Sequence, residues 1–87
     1  MFIKDNNRLY MRDEAGKIIA EIDYPETSSG VFTIIHTYTD PCLRGQGIAG
    51  KLVEAAVDDI KSRGGKVQAT CWYAEEWLNR HPEKKEG

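Results

Sequence analysis

The sequence is poor in the features that mark several large protein classes. No apolar run approaches the roughly 18–20 residues that a membrane span needs, and the opening Met1–Asn7 stretch lacks the apolar core of a secretion signal. Both absences lead to the expectation of a cytoplasmic protein with no membrane partner. There is no excess of positive charge: 12 Lys and Arg stand against 14 Asp and Glu, a net charge of −2. That argues against a nucleic-acid partner, because such binding rests on basic side chains neutralising phosphates. Two cysteines, Cys42 and Cys71, are too few for a disulfide framework, and in a reducing compartment they are expected as thiols. The potential metal ligands His36, Cys42, Cys71 and His81 include no closely spaced pair, so no metal site is expected. No internal repeat or low-complexity segment is present.

What remains is the pattern of a small globular protein. With 87 residues the chain has room for one domain, and a chain of that size hides only about 60–65% of its unfolded surface. Residues 8–12 alternate, with Leu9 and Met11 on one face, and predict a strand. A turn over 13–16 leads to a second alternating run, 17–24, in which Ile18, Ala20, Ile22 and Tyr24 share a face; the two runs should pair antiparallel. Residues 25–30 read as a loop, and the β-branched, aromatic run 31–39 predicts one continuous third strand that Asp40-Pro41 ends. The period then becomes helical over 46–63, with Ile48, Leu52, Val53, Ala56, Val57 and Ile60 on one stripe and Gly64-Gly65 as the stop. A short strand over 66–70 and a second helix over 72–80 follow, and 83–87 is expected to fray. The fold class is therefore mixed α/β: an antiparallel meander followed by a β-α-β-α unit, in a single domain spanning 1–87.

The segment richest in chemistry lies between the third strand and the first helix: Pro41-Cys42-Leu43-Arg44-Gly45-Gln46-Gly47-Ile48-Ala49-Gly50. Residues without a Cβ let the backbone approach a bulky anion. The amides of a helix start point outward and carry the positive end of the dipole, and together these features form an anion cradle. Arg44 can add a charge-assisted contact. The glycine spacing matches the string of a dinucleotide fingerprint, but the context does not. An antiparallel meander precedes the loop, and the region 63–66 offers no acidic residue at a strand end.

The run Arg44-Gly45-Gln46-Gly47-Ile48-Ala49 at a strand–helix junction resembles the pyrophosphate loop of the GNAT superfamily of N-acetyltransferases. Ile35–Pro41 is similar to the strand that precedes that loop, and Cys71-x-x-Ala74 stands where the superfamily has Asn-x-x-Ala. The whole chain most resembles a short, single-domain GNAT-like group with His-Thr in this strand, Arg-Gly-Gln-Gly in the loop and a cysteine after the next strand. The resemblance implies an acetyl-coenzyme A-dependent N-acetyltransferase acting on an amine acceptor that the sequence does not name. It implies that Arg44, Gly45, Gln46, Gly47, Ile48 and Ala49 line the pyrophosphate. Thr37, Tyr38 and Thr39 would flank the pantetheine through main chain, and Cys71 and Ala74 would lie beside the coenzyme. Larger members place helices after the first strand that shape the acceptor site; here a tight turn stands instead, so the coenzyme half is expected to be present and the acceptor half thin.

Alternatives stand beside each of these roles. The loop reads as a coenzyme cradle or as a glycine-rich helix cap. Cys71 reads as a nucleophile that accepts the acetyl group as a thioester, or as a small buried hydrophobe at a strand end. His36 reads as a proton relay or acceptor base, or as a strand histidine bonded to a neighbour. For the whole chain the alternatives to an enzyme are a non-catalytic coenzyme-binding module and a small interaction domain. An open sheet edge leaves the assembly state between a monomer and a weak dimer.

Overall fold

A computed structural model describes residues 2–85. The elements follow in the order β1 (Ile3–Lys4), β2 (Arg8–Arg12), β3 (Ile18–Asp23), β4 (Glu26–Ser28), β5 (Val31–Ile34), β6 (His36–Thr39), a 3₁₀ turn (Pro41–Leu43), α1 (Ile48–Ser62), β7 (Lys66–Ala69), α2 (Trp72–Arg80) and α3 (Pro82–Lys85). Two sheets result. One is antiparallel in the order β1-β2-β3-β6, and the other runs β4-β5-β7 with β5 and β7 parallel.

The run 31–39 is not one strand. Asp23 on β3 has His36 as its register partner, yet Ile35 also turns its N–H to the Asp23 carbonyl at 3.1 Å. Two residues of one strand thus oppose one of the other, which is a β-bulge. Before the bulge the chain pairs with β7, and after it with β3. Ile35 is left 49% exposed, although its composition predicts a buried strand position. The segment 25–30 also departs from a plain loop. Glu26–Ser28 pairs with β5, and the Thr27 and Thr33 hydroxyls lie 2.7 Å apart, which satisfies the buried Thr33 side chain.

The hydrophobic core lies between the antiparallel sheet and α1. Ala20, Ile22, Tyr24, Ile34, Leu52, Val53, Ala56, Val57 and Ile60 have no exposed surface. The pairing of β2 with β3 shifts register between Met11 and Arg12, which leaves Ile19 as an extra residue on β3; Ile19 and Ala20 are both buried, so Ile19 breaks the alternation of its strand. Tyr24 carries its hydroxyl into this core and donates it to Asp59 on α1 at 2.9 Å; Lys4 and Arg63 donate to the same carboxylate. The buried phenol thus meets a charged acceptor, and the acceptor is held by cations.

α1 ends in a Schellman arrangement: Gly65 N–H reaches the Ile60 carbonyl and Gly64 N–H the Lys61 carbonyl, with Gly64 at φ +74°. The expected fraying begins too early in the sequence reading. Residues 82–85 form a helical turn, and Lys84 Nζ bonds Asp58 on α1 at 2.8 Å; residues 86 and 87 lie outside the described residues. Among the described residues no helix is long and apolar enough to cross a membrane.

A methyl group added at Gly65 would stand 2.8 Å from the Phe32 ring and 3.0 Å from Ile60. Gly65→Ala is therefore expected to lower stability by about 1–3 kcal/mol, read as a fall in the urea midpoint without a change in slope; an unchanged midpoint would show that the packing against Phe32 relaxes freely.

Candidate functional site

The bulge opens the molecule at one place. β7 follows β5 as far as Ile34, whose carbonyl accepts the N–H groups of Thr70 at 3.0 Å and Cys71 at 3.3 Å. Beyond that point the strands part. The Asp40 N–H to Ile19 carbonyl bond at 2.8 Å fixes which residues of β6 bond to β3. Antiparallel pairs alternate between bonded and non-bonded, so His36 and Tyr38 spend their main-chain groups on β3. Thr37 and Thr39 direct theirs into the opening. Tyr38 therefore corrects the sequence expectation: of the three residues meant to line the gap through main chain, it is the one turned away. Its ring lies on the outer face, and its hydroxyl donates to Asp40 at 3.3 Å.

Cys71 forms the opposite lip. Its Sγ lies 3.4 Å from Thr37 Oγ1, and it is the residue preceding α2. Burial pushes the thiol pKa up. The Thr37 hydroxyl and the amides of Ala74, Tyr73 and Thr37 outweigh this, and the pKa falls below its ordinary value. No α2 amide closes a capping bond to the sulfur, so these groups act as a local positive potential at a helix start. Ala74 is fully buried in the first turn behind the sulfur.

Below β6 the chain enters the glycine loop. Asp40 accepts the Cys42 N–H at 3.0 Å and starts the 3₁₀ turn. This bond, then the Cys42 side chain and Lys17, hold its carboxyl down to about 2. Gly45 and Gly47 then take φ of +84° and +69°, values that L side chains adopt only with strain. Gly47 precedes α1 in left-handed geometry and brings no capping side chain, and the first turn carries no acidic residue. The amides of that turn have no helical carbonyl to bond. Arg44, Gly45, Gln46 and Gly47 are exposed, and among the described residues Arg44 has no ion-pair partner. Ile48 is buried, so only its main chain faces the loop; Ala49 is half-buried. Gly50 faces α2, where an added methyl would lie 3.4 Å from Trp77 Nε1 and 3.5 Å from the Tyr73 hydroxyl. The N-terminal turns of α1 and α2 thus lie side by side at the opening.

His36 lies elsewhere. Thr37 and Thr39 share the α1 side of the sheet with their partners Ile22 and Ala20, whereas His36 pairs with Asp23 on the outer face. Cys71 and His36, the two catalytic candidates, therefore stand on opposite faces. His36 Nε2 is 3.7 Å from Glu21 Oε2, and the ligand-type atoms of Glu21, Asp23 and His36 fall within 4.8 Å of one another. Arg8 already donates to Glu21 and stands 3.8 Å from Asp23. Burial, then the Glu21 carboxylate, raise the Asp23 pKa against the opposing Arg8 and His36. A fixed guanidinium among these groups makes them an ion-pair cluster. The quartet His36, Cys42, Cys71 and His81 is not gathered among the described residues. His81 instead stacks on Trp77 at 3.9 Å.

Two features escaped the sequence reading. Thr37 and Cys71 are 34 positions apart, and no local pattern joins them. Trp72 is 73% exposed beside Cys71; its signal was an indole in register with Glu76 and Arg80 on the polar stripe of α2.

A sheet split beside a glycine-started helix defines an N-acetyltransferase type of fold. The chain belongs to the family of GCN5-related N-acetyltransferases, whose profile matches residues 8–86. The solution structure of a GCN5-like protein from Staphylococcus aureus, provisionally assigned to the N-acetyltransferases, is 27% identical. It superimposes at a TM-score of 0.81, over 99% of this chain and 84% of that one. Glucosamine-6-phosphate N-acetyltransferase from Arabidopsis thaliana shares the fold at 23% identity and a TM-score of 0.58, covering 82% of this chain and 58% of that one. Protein NATD1 of Mus musculus is 30% identical over 59 residues, 68% of this chain and 54% of that protein. The chain thus spans about half the length of the curated relatives it matches.

The two thiols should separate by pH. Cys71 is lowered as described, while the Cys42 pKa is raised by its bond to Asp40, then by desolvation. Thiolate is the alkylated form, so the rate of iodoacetamide labelling should rise at lower pH for Cys71 than for Cys42. Coincident midpoints by peptide mass spectrometry would remove the proposed polarisation of Cys71.

Proposed function

We propose that the protein binds acetyl-coenzyme A along the opening between β6 and the end of β7 and transfers its acetyl group to an amine. The observation that carries this reading is the meeting of two unfilled hydrogen-bonding surfaces: the outward main chain of Thr37 and Thr39, and the uncapped start of α1 behind Gly45 and Gly47. The amides of the loop and first turn suit a diphosphate, with Arg44 as a mobile counter-charge and Gln46 at the rim. Ile48 and Ala49 contribute main chain only. The edge of β6 suits the amide-bearing pantetheine arm, which would enter as an added strand does.

The reaction follows from the position of Cys71. Its thiolate attacks the thioester carbonyl carbon, the bond from that carbon to the coenzyme sulfur breaks, and the coenzyme leaves as a thiolate that takes up a proton. The acceptor amine then attacks the Cys71 thioester. The carbon–sulfur bond to Cys71 breaks, and the amine gives up its proton. Main-chain N–H groups facing the opening polarise the carbonyl as charge builds on its oxygen. Since His36 stands on the outer face, it serves this scheme only as a proton acceptor for an amine arriving from that side, with Glu21 beside it. The chain passes from β2 to β3 with no helix between them, which suits an acceptor that brings much of its own binding surface. A cytoplasmic location, with the coenzyme and an amine as partners and no nucleic acid, fits the same reading.

Titration with acetyl-coenzyme A by calorimetry should show saturable binding, and amide resonances of residues 45–49 should shift. Gly47→Val forces a β-branched residue to positive φ where space itself is open. It should weaken binding roughly tenfold or more, about 1.4 kcal/mol, with an unchanged circular dichroism spectrum. Binding that is absent in the parent, or equal in the variant, sinks the loop's role.

The covalent step has its own test. After incubation with acetyl-coenzyme A, intact-mass spectrometry should find one acetyl group, placed on Cys71 by peptide mapping and absent from Cys71→Ala. Transfer to a model amine that persists at full rate in Cys71→Ala would establish direct attack instead; binding without either product would leave a coenzyme-binding module.

A further inference from the structure

The loop before α1 is entered through one side chain, Asp40, and both of its oxygens are engaged. Oδ1 accepts the Cys42 N–H at 3.0 Å and starts the 3₁₀ turn. Successive turns carry the chain on from there. Leu43 N–H bonds the Asp40 carbonyl, Arg44 N–H the Pro41 carbonyl and Gln46 N–H the Leu43 carbonyl. Oδ2 meets Lys17 Nζ at 3.2 Å and the Tyr38 hydroxyl at 3.3 Å. The Asp40 side chain is 14% exposed and that of Lys17 65%.

Asp40 serves the loop in one way and opposes it in another. Its carboxylate fixes the entry to the cradle, yet it sets a negative charge on the approach to a diphosphate. At a 3₁₀ rise of about 2 Å per residue, Gly45 lies roughly 10 Å along the chain from Asp40. Across that separation a full charge still acts on a doubly charged ligand when little salt is present. Among the described residues, Lys17 is the one cation paired with Asp40.

The turn between β2 and β3 delivers that cation. Asp13 Oδ1 accepts the N–H groups of Ala15 and Lys17, each at 2.9 Å, and the Asp13 N–H bonds the Lys17 carbonyl at 2.9 Å. Gly16 passes through φ +88° within this turn. The main chain of Lys17 is thus held through both its N–H and its carbonyl. It lies two residues before Ile19, whose carbonyl accepts the Asp40 N–H at the end of β6.

Resting on the coenzyme-binding reading, we propose that Lys17 is a positioning residue for the diphosphate cradle: it cancels the charge of Asp40, so that this carboxylate holds the loop without repelling the ligand. Lys17 touches no coenzyme atom in this scheme and acts through Asp40. An exposed ion pair adds little to folding stability, so its role shows in binding. The hairpin turn that stands in place of acceptor-side helices thereby becomes part of the coenzyme half.

Calorimetry with coenzyme A on the full chain tests this. At an ionic strength of roughly 10 mM, Lys17→Met should weaken binding about threefold, the scale of one charge acting on two across roughly 10 Å of water. The loss should shrink as salt is raised. Lys17→Arg, which keeps the charge, should bind like the parent. Adding Asp40→Asn to Lys17→Met should restore the parent's affinity, because asparagine still accepts the Cys42 N–H and no charge is left to cancel. A role of Lys17 in packing alone would give neither the salt dependence nor the rescue. Circular dichroism will confirm that the variants fold. Unchanged affinity in Lys17→Met, a loss that salt does not reduce, or a loss that Asp40→Asn does not restore, with residues 45–49 still shifting on binding, overturns this assignment alone. No binding of coenzyme A by the parent overturns it together with the reading on which it rests.

Discussion

One backbone irregularity organises this molecule. At Ile35 and His36 two residues face the single residue Asp23, and the chain changes partners from β7 to β3 across that step. A regular strand over the same residues would continue to pair on both edges and close the sheet. The bulge interrupts the ladder between Ile34 and Thr37, and unpaired main chain is left at the centre of the domain. Exposed strand edges are normally hidden or blunted, because they template further pairing. Here the edge borders the opening between β6 and the end of β7, where an elongated molecule with amide groups can use it.

The rest of the fold holds that cleft in shape. α1 fills the space over β3 and β6 with an unbroken apolar stripe, and its far end is fastened by the Tyr24–Asp59–Arg63 contacts and by Gly64-Gly65. Its near end is left without a side-chain cap, with its first turn beside that of α2. Helix ends usually satisfy their amides locally, and a start that leaves them unfilled costs stability. Gly45 and Gly47 before it take left-handed φ, a conformation that glycine alone adopts without a steric penalty. The uncapped helix start and the left-handed glycines fall at the same end of the same opening.

The two faces of the split sheet have different chemistry. On the α1 side, Thr37, Cys71 and the two helix starts make a surface that favours anions and a thiolate. On the outer side, Glu21, Asp23 and Arg8 surround His36 in an acidic, partly compensated cluster. A reaction that joins a thioester to an amine has use for both environments. The sheet keeps them apart except where it splits. The likeness to the S. aureus protein covers nearly the whole of this chain and 84% of that one, so the fold itself is shared at this small size.

Sequence by itself determined β2, β3, α1, β7, α2 and the loop before α1. Periods of two over 8–12 and 17–24, and of 3.6 along α1 and α2, are set by which side chains must leave water, and they can be read without knowing any partner. Glycines 45 and 47 marked the loop because a residue without a Cβ lets the backbone approach a bulky anion; their positive φ is a finding of the structure. Only the tertiary structure decided where β5 ends and β6 begins, since 31–39 is β-prone throughout and a bulge is a property of pairing with β3 and β7. It also decided that Tyr38 faces away while Thr37 and Thr39 face in. It put Cys71 against Thr37 across 34 residues, and His36 on the other side of the sheet. Strand register and long-range pairing depend on contacts between distant segments, and a one-residue slip exchanges the two faces. Local composition carries no record of that choice.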